Sequence, residues 1–179
     1  MYNIIDFINS KKAEHMEQAE RVSKINYYLD IAQTVAQRST CLRRKFGAII
    51  VKNDSIVSTG YNGAPRGRAN CCDMGYCLRD KLNIPRGERY ELCRSVHAEA
   101  NAIIAASRET MIGSDLYLVC IDPKTEEPLP GTCSCQMCKR LVINAGISRA
   151  IVRENSDTYT VYDVNDWIKN DDSLGTIGY

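Results

Sequence analysis

A chain of 179 residues can bury one substantial hydrophobic core, and its 44% hydrophobic and 25% charged residues are ordinary for a globular protein. The formal net charge is +1 and no long run of like charges occurs, which argues against a surface that coats nucleic acid. No apolar stretch approaches the length of a membrane span, and Met1–Ser10 lacks the basic start of a signal peptide. We therefore expect a single cytoplasmic domain over residues 1–179. We expect neither a membrane nor nucleic acid as its partner.

The chain begins with two predicted helical segments. Residues 1–23 combine a short apolar cluster with a charged stretch, which predicts a helical arm that packs on the domain or on a neighbouring subunit. Apolar side chains then recur with helical spacing from Ile25, and this pattern predicts a helix that ends near Arg38.

An antiparallel β-hairpin and two loops follow. The apolar runs Gly47–Val51 and Ile56–Thr59 predict the two strands, and turn-forming residues separate them at Asn53-Asp54. Residues 60–67 are rich in turn formers and predict a loop. Residues 68–96 form a long irregular segment with four cysteines, and segments of that length are usually functional or held by other contacts.

The second half of the chain alternates helices and strands. Its predicted elements are a helix from His97 to about Arg108, strand Leu116–Ile121, a proline-rich loop over 122–132, a helix from Cys135 to the glycine stop at Gly146, strand Ile147–Arg153, and one or two helical turns around Trp167 and Ile168. Such alternation predicts parallel strand pairing. Together with the hairpin it predicts an α/β fold of three α/β/α layers, in which helices cover both faces of a central mixed sheet of about five strands. We expect residues 171–179 to form a flexible tail.

One combination of residues is suited to bind a metal and to use it. His97 and Glu99 lie two positions apart, and Cys135 and Cys138 follow about forty residues later. Zinc takes imidazole and thiolate ligands in a tetrahedron, and a catalytic zinc keeps one position for water. One imidazole and two thiolates leave that position open, while Glu99 can move protons without binding the metal.

Each half of this combination has a simpler interpretation. A Cys-x-x-Cys pair can be a redox pair or half of a structural zinc site, and a histidine before an Ala-rich helix can be structural. The chain has only two histidines, His15 and His97, and the second has this setting. His97 and Cys135 both precede helical patterns, so we expect two helix N-termini, which favour thiolates, to point at one metal.

The spacing is the known signature of zinc-dependent nucleobase deaminases, and the wider pattern resembles the deoxycytidylate deaminases of the cytidine deaminase superfamily over about residues 24–155. The motifs that carry the resemblance are Ser39-Thr40-Cys41, Phe46-Gly47-Ala48-Ile49-Ile50-Val51, Gly60-Tyr61-Asn62-Gly63, His97-Ala98-Glu99-Ala100-Asn101-Ala102, and Cys135-x-x-Cys138 leading to Ile143-Asn144-Ala145-Gly146-Ile147. The resemblance implies a cytidine-deaminase-like fold and hydrolysis of dCMP to dUMP and ammonia, which supplies precursor for dTTP.

The resemblance also implies roles for individual residues. Zinc would activate a water molecule for attack on C4 of cytosine, and Glu99 would carry the proton to N3 and then to the leaving amine. Asn62 would lie over the nucleotide, or serve only as a turn residue with positive φ. The backbone at Ala98 would hold the pyrimidine, and Tyr159 would lie near the substrate.

Binding of the 5′-phosphate requires cations or backbone N–H groups. The candidates are Arg43, Arg44, Lys45, Arg66 and Arg68, for which a solvated basic edge is the alternative interpretation. Relatives that form hexamers are activated by dCTP and inhibited by dTTP with magnesium. The resemblance therefore implies a homo-oligomer, either dimer or hexamer, with dCTP and dTTP as effectors and Mg²⁺ bound with an effector.

The remaining cysteines predict a second, structural zinc. Some phage-type relatives hold such a zinc through cysteines at the positions of Cys41 and Cys71, and the two histidine ligands of those relatives have no counterpart here. Cys77 and Cys93 would complete a closed Cys₄ site, with Cys72 as an alternative ligand. Ordinary buried or free thiols are the other interpretation.

Two departures from the family pattern leave questions open. Ser134 stands where the family has proline and Cys133 precedes it, so a register in which Cys133 binds the catalytic metal stays open. The loop over 122–132 is longer than in many relatives, which leaves the exact cytosine nucleotide open.

Two other functions are compatible with the motifs. A deaminase of a base in RNA or single-stranded DNA predicts a basic, aromatic-lined groove, against which the net charge and the Gly60–Gly63 motif argue. A non-catalytic, zinc-stapled nucleotide-binding module has no use for Glu99.

Overall fold

The computed structural model describes residues 21–85 and 87–171. The predicted arm over 1–23 therefore lies outside the described residues except for its last three, and so does the predicted tail except for Asp171. Within the described ranges, none of the helices has the length and apolar character needed to cross a membrane.

A five-stranded mixed sheet forms the centre of the structure. Its strands are β1 (Lys45–Lys52), β2 (Ser55–Tyr61), β3 (Asp115–Ile121), β4 (Arg149–Arg153) and β5 (Tyr159–Asp163). They lie in the order β2-β1-β3-β4-β5. Strands β3 and β4 are parallel, and the other neighbouring pairs are antiparallel. The predicted hairpin and the predicted parallel pairing of the second half are both confirmed.

Helices lie on both faces of the sheet. Within the described residues they are α1 (Lys24–Ala36), α2 (Cys71–Met74), α3 (Leu78–Lys81), α4 (Ala98–Ile104), α5 (Arg108–Met111), α6 (Gln136–Ala145) and α7 (Val164–Lys169), with a 3₁₀ turn at Tyr90–Leu92. Helix α1 covers one face with side chains that pack on Ile49 and Val119. Helices α4 and α6 cover the other face, which includes Ile50 and Leu118.

The two cores explain the continuous apolar runs of the central strands. Successive residues of a strand point to opposite faces, so Ile49 and Ile50 enter different cores, as do Leu118 and Val119. A strand buried on both faces has apolar residues at every position, in contrast to the alternating pattern of a half-exposed strand. The predicted three-layer α/β/α fold is confirmed.

Three details differ from the prediction. Strand β5 was not predicted, because this edge strand is short and its residues alternate between exposed and half-buried. The predicted helix from His97 to Arg108 ends at Ile104, and Ser107 caps the separate helix α5 by accepting a hydrogen bond from the Thr110 N–H. Residues 68–96, predicted to be irregular, contain α2, α3 and the 3₁₀ turn.

Candidate active site

The predicted metal ligands lie where two helices begin. His97 immediately precedes α4 and Cys135 immediately precedes α6, and both have extended backbone conformations (φ −73°, ψ 156° and φ −68°, ψ 166°). Cys138 lies in the first turn of α6, three residues after Cys135. Because α4 and α6 pack on the same face of the sheet, their N-termini bring these side chains together, as predicted.

The geometry of these three side chains fits one zinc ion. Nδ1 of His97 lies 3.4 Å from Sγ of Cys135 and 3.4 Å from Sγ of Cys138. Tetrahedral zinc with ordinary bond lengths would separate such a nitrogen from such a sulfur by about 3.5 Å. Among residues 21–85 and 87–171, no other group of three or more His, Cys, Asp or Glu residues has its ligand atoms within 4.8 Å of one another.

Cys133 does not join this cluster. Its thiol is half-buried, burial raises its pKa, and it shares a hydrogen bond with the side chain of Tyr162. The arrangement therefore favours Cys135 and Cys138 as the ligand pair over the register that includes Cys133.

The pKa values of the two clustered thiols shift in opposite directions. A hydrogen bond from Cys138 lowers the pKa of Cys135, and His97 lowers it further. Cys138 has a raised pKa because it donates that hydrogen bond from a buried position. Burial lowers the pKa of His97, but its hydrogen bond to Cys135 and the charge of Glu99 outweigh burial, so the net shift is upward. Cys138 must lose its proton when a metal binds, since the thiolate is the metal ligand.

Glu99 is a buried carboxyl group beside the cluster. Its side chain belongs to the first turn of α4, and the residue is 3% exposed. Burial raises the pKa of Glu99, although the charge of His97 opposes the shift. A carboxyl group at this position can accept a proton and pass it on, which is the role of a general acid and base.

A cavity of about 470 Å³ opens onto the cluster. Its volume lies in the range of small-molecule sites. The residues that line it and bear on the predicted site are Phe46, Asn62, His97, Ala98, Glu99 and Cys135. Phe46 in β1 and Pro123 after β3 place the cavity at the end of the sheet where β1 begins and β3 ends.

Asn62 lies in the cavity wall and ties three segments together. Its Oδ1 accepts hydrogen bonds from the Ser39 hydroxyl (2.6 Å) and the Phe46 N–H (2.8 Å). Its Nδ2 donates to the carbonyl of Arg44 (2.9 Å). Asn62 does not have a positive φ, so the interpretation as a positive-φ turn residue is wrong. The amide is buried and holds the segment before β1 at the edge of the cavity.

Only some of the predicted phosphate ligands reach the cavity. Arg43 and Arg44 line it, and each forms an ion pair, with Asp80 (3.2 Å) and Asp122 (3.3 Å) respectively. Lys45, Arg66 and Arg68 do not line it. Lys45 instead forms an ion pair with Glu126 at 2.6 Å.

Several residues of the cavity wall were not predicted. Among them, Arg79, Tyr90 and Arg94 come from the segment over 68–96. The cysteine content of that segment indicated that other contacts hold it, but no periodic pattern indicated which side chains face the site.

The cysteines of the predicted second zinc site line the same cavity but do not form a cluster. Cys41, Cys71, Cys77 and Cys93 all contribute to its wall. Burial raises the pKa of Cys71, and the charges of the other three raise it further, so the four thiols influence one another. No three of them have sulfur atoms within 4.8 Å of one another in this arrangement.

Two other predicted residues lie elsewhere. Cys72 is exposed on α2. Tyr159 is exposed at the start of β5 and does not line the cavity, because β5 is the edge strand of the sheet.

The sequence matches one family model, and known proteins resemble the chain. The model is described as the cytidine and deoxycytidylate deaminase zinc-binding region, and it matches residues 22–154. A deoxycytidylate deaminase of Mycobacterium phage D29 is 39% identical over 134 residues, which cover 73% of this chain and 94% of the relative. A deoxycytidylate deaminase of Schizosaccharomyces pombe is 32% identical over 142 residues, 78% of this chain, but the chain spans only 40% of that relative.

A solved structure shows the same fold. It is a dCMP deaminase from the cyanophage S-TIM5 in complex with dCMP and dUMP, with 26% sequence identity and a TM-score of 0.53. The similarity covers 89% of this chain and 98% of the cyanophage chain.

Proposed function

The chain belongs to the cytidine and deoxycytidylate deaminase family, and we propose that it is a zinc-dependent hydrolase that converts dCMP and water to dUMP and ammonia. The observation that carries this proposal is the convergence of His97, Cys135 and Cys138 beside the buried Glu99, inside a cavity of nucleotide size. The dCMP and dUMP bound by the cyanophage relative support a cytosine nucleotide as substrate.

The donor set suits a catalytic zinc. His97, Cys135 and Cys138 would hold the ion through one nitrogen and two sulfurs, and Glu99 stands outside the cluster. Bound zinc supplies an activated water at neutral pH. Glu99 would take a proton from that water and give it to N3 of the cytosine ring. It would then take the remaining proton from the oxygen added at C4 and give it to the amine, which leaves as ammonia.

The cavity wall suggests how the nucleotide is oriented. We infer that Arg43 and Arg44 meet the 5′-phosphate, because both cations reach the cavity and Nη1 of Arg43 is buried without a hydrogen-bond partner. We infer that Asn62 and the backbone at Ala98 contact the nucleoside, since both line the wall next to Glu99. A cavity of this size supports a mononucleotide as substrate in preference to RNA or single-stranded DNA, which require a long groove.

Substitution of Glu99 tests the catalytic assignment. Glu99→Gln should keep zinc at the wild-type stoichiometry and lower kcat for ammonia release by at least about 10²–10⁴-fold, because general acid–base help is lost. Glu109→Gln, an exposed change on α5, is the matched control and should leave kcat unchanged. Retained activity in Glu99→Gln would contradict the mechanism.

A substrate comparison tests the proposed nucleotide. We expect ammonia release from dCMP to exceed that from cytidine and dCTP, and a tRNA anticodon stem-loop to give none. Preference for the stem-loop would contradict the assignment to free nucleotides.

Two further measurements test the predicted regulation and assembly. The assay is repeated with dCTP and dTTP, with and without Mg²⁺, to test the predicted effectors. The mass of the active species tests the predicted dimer or hexamer.

We also propose the second, structural zinc on Cys41, Cys71, Cys77 and Cys93. All four cysteines belong to one cavity wall, and four thiolates form a closed site. Metal analysis of the purified protein should give two zinc ions per chain, falling to one in Cys71→Ser but not in Cys72→Ser. One zinc per wild-type chain rejects this second site. We propose a cytoplasmic location, because cysteines that act as metal ligands and free thiols suit a reducing compartment.

A further inference from the structure

An aromatic ring packs directly against the imidazole of His97. Tyr90, the first residue of the 3₁₀ turn before α4, places its ring centre 5.1 Å from that of His97, with the ring planes at 87°. This edge-to-face arrangement is favourable for two aromatic rings in contact. Both side chains line the active-site cavity.

Arg79 also packs on the Tyr90 ring. Its guanidinium carbon lies 4.7 Å from the centre of the Tyr90 ring, and the residue is only 6% exposed. Its Nη2 donates hydrogen bonds to the carbonyls of Pro85 (2.8 Å) and Glu88 (2.6 Å). A cation–π contact that is shielded from water is stronger than an exposed one. Arg79 thus restrains the Tyr90 ring that packs on the imidazole.

Neither helix capping nor a second hydrogen bond fixes the His97 ring. His97 precedes α4, but its side chain makes no capping hydrogen bond. Within the described ranges, the hydrogen-bonding contacts of the ring are those of Nδ1 with Cys135 and Cys138. Metal-binding histidines usually donate the other ring N–H to a carboxylate or carbonyl, which sets the ring orientation. Here the contact observed for the imidazole, apart from those of Nδ1, is its packing on the Tyr90 ring.

We propose that Tyr90, braced by Arg79, is a positioning residue that fixes the His97 imidazole for zinc binding. This inference rests on the zinc site of the proposed function. Nδ1 lies at equal distances from two sulfur atoms, and rotation of the ring would move it away from at least one of them. Packing on Tyr90 restricts that rotation before the metal arrives, so less ordering is required when zinc binds.

Zinc affinity, measured by competition with a chromophoric chelator, tests the proposal without relying on activity. Tyr90→Ala should weaken zinc binding by about 10–100-fold, the usual effect of losing an orienting partner. Tyr90→Phe keeps the ring and should retain wild-type affinity. Arg79→Met keeps most of the apolar part of the side chain but loses the cation, and it should give a smaller loss than Tyr90→Ala.

Tyr76→Ala is the matched control, because Tyr76 belongs to the same segment and its ring lies under a different cation, Lys81 Nζ, at 3.4 Å. It should leave zinc affinity unchanged. If Tyr90→Ala does not fold, Tyr90→Leu and the visible absorption spectrum of its cobalt-substituted form provide the same comparison. We expect that spectrum to differ from the wild-type spectrum.

Two results would overturn the inference. If Tyr90→Ala binds zinc with wild-type affinity, this inference is wrong but the proposed function is unaffected. The same holds if only KM for the nucleotide rises, because Tyr90 would then be a substrate contact. Absence of zinc binding by the wild-type protein overturns the proposed function as well.

Discussion

Tyr117 illustrates how burial changes the chemistry of a single side chain. It lies on β3, is 5% exposed, and its ring packs 5.1 Å from that of Tyr28. Burial raises the pKa of Tyr117 to about 12, and the nearby charge of Asp115 adds to the effect. The folded state therefore binds the phenolic proton more tightly than the unfolded state does.

This shift predicts a loss of stability at alkaline pH. The stabilising effect is complete below the unfolded pKa of about 10 and is lost as pH rises through about 12, at a total cost of about 3 kcal/mol. Urea unfolding of wild type and Tyr117→Phe between about pH 9 and pH 12 measures it. The variant should lose less stability, whereas the exposed control Tyr61→Phe should follow the wild type. Parallel curves for Tyr117→Phe and wild type would contradict the prediction.

Asn62, predicted to contact the nucleotide, also has a structural role through its hydrogen bonds. The Gly-Tyr-Asn-Gly motif predicted that Asn62 contacts the nucleotide, and its position in the cavity wall is compatible with that prediction. Its three hydrogen bonds to the segment before β1 depend on residues 16 to 23 positions away in sequence. Those partners cannot be identified from spacing, because folding brings them together.

Helix α4 is positioned by a glycine in the neighbouring strand. A Cβ added at Gly60 in β2 would lie 2.3 Å from the backbone atoms Ala102 N and Ala98 O. Real contacts of Cβ atoms are never so short, so α4 would have to move. Because α4 begins beside His97 and carries Glu99, Gly60 sets the distance between the sheet and the candidate active site.

Gly60→Ala should therefore affect both stability and the metal site. We expect a loss of about 1–3 kcal/mol in the free energy of unfolding from overpacking, together with weaker zinc binding. Gly47→Ala is the matched control, because its Cβ would lie 2.1 Å from the Ala32 carbonyl oxygen of α1, on the opposite face. The control should lose stability without losing zinc affinity. Equal effects of both substitutions on zinc binding would contradict this view of α4.

Across the whole molecule, the candidate zinc ligands connect elements of only one layer. His97 precedes α4, while Cys135 and Cys138 belong to the start of α6. Helix α1 packs on the other face through apolar side chains and contributes no ligand. The metal should therefore stabilise one layer more than the other.

Removal of zinc by a chelator should increase hydrogen exchange in α4, in the first turn of α6 and, through the proposed second zinc, in α2 and α3. Exchange in α1 and in the central strands should change little, since their burial does not depend on the metal. Hydrogen-exchange mass spectrometry with and without chelator measures this difference. A uniform increase across all elements would show that zinc supports the whole fold rather than one layer.

The spacing of His97, Glu99, Cys135 and Cys138 was enough to predict the metal cluster, and apolar patterns were enough for α1, β1 to β4 and α6. These features depend on neighbours a few residues apart, or on ligand types that one metal must share. Strand β5, the contacts of Asn62 and the Arg79–Tyr90–His97 packing depend on residues that meet only after the sheet has formed. Burial and orientation there arise from long-range packing, which a local pattern does not encode.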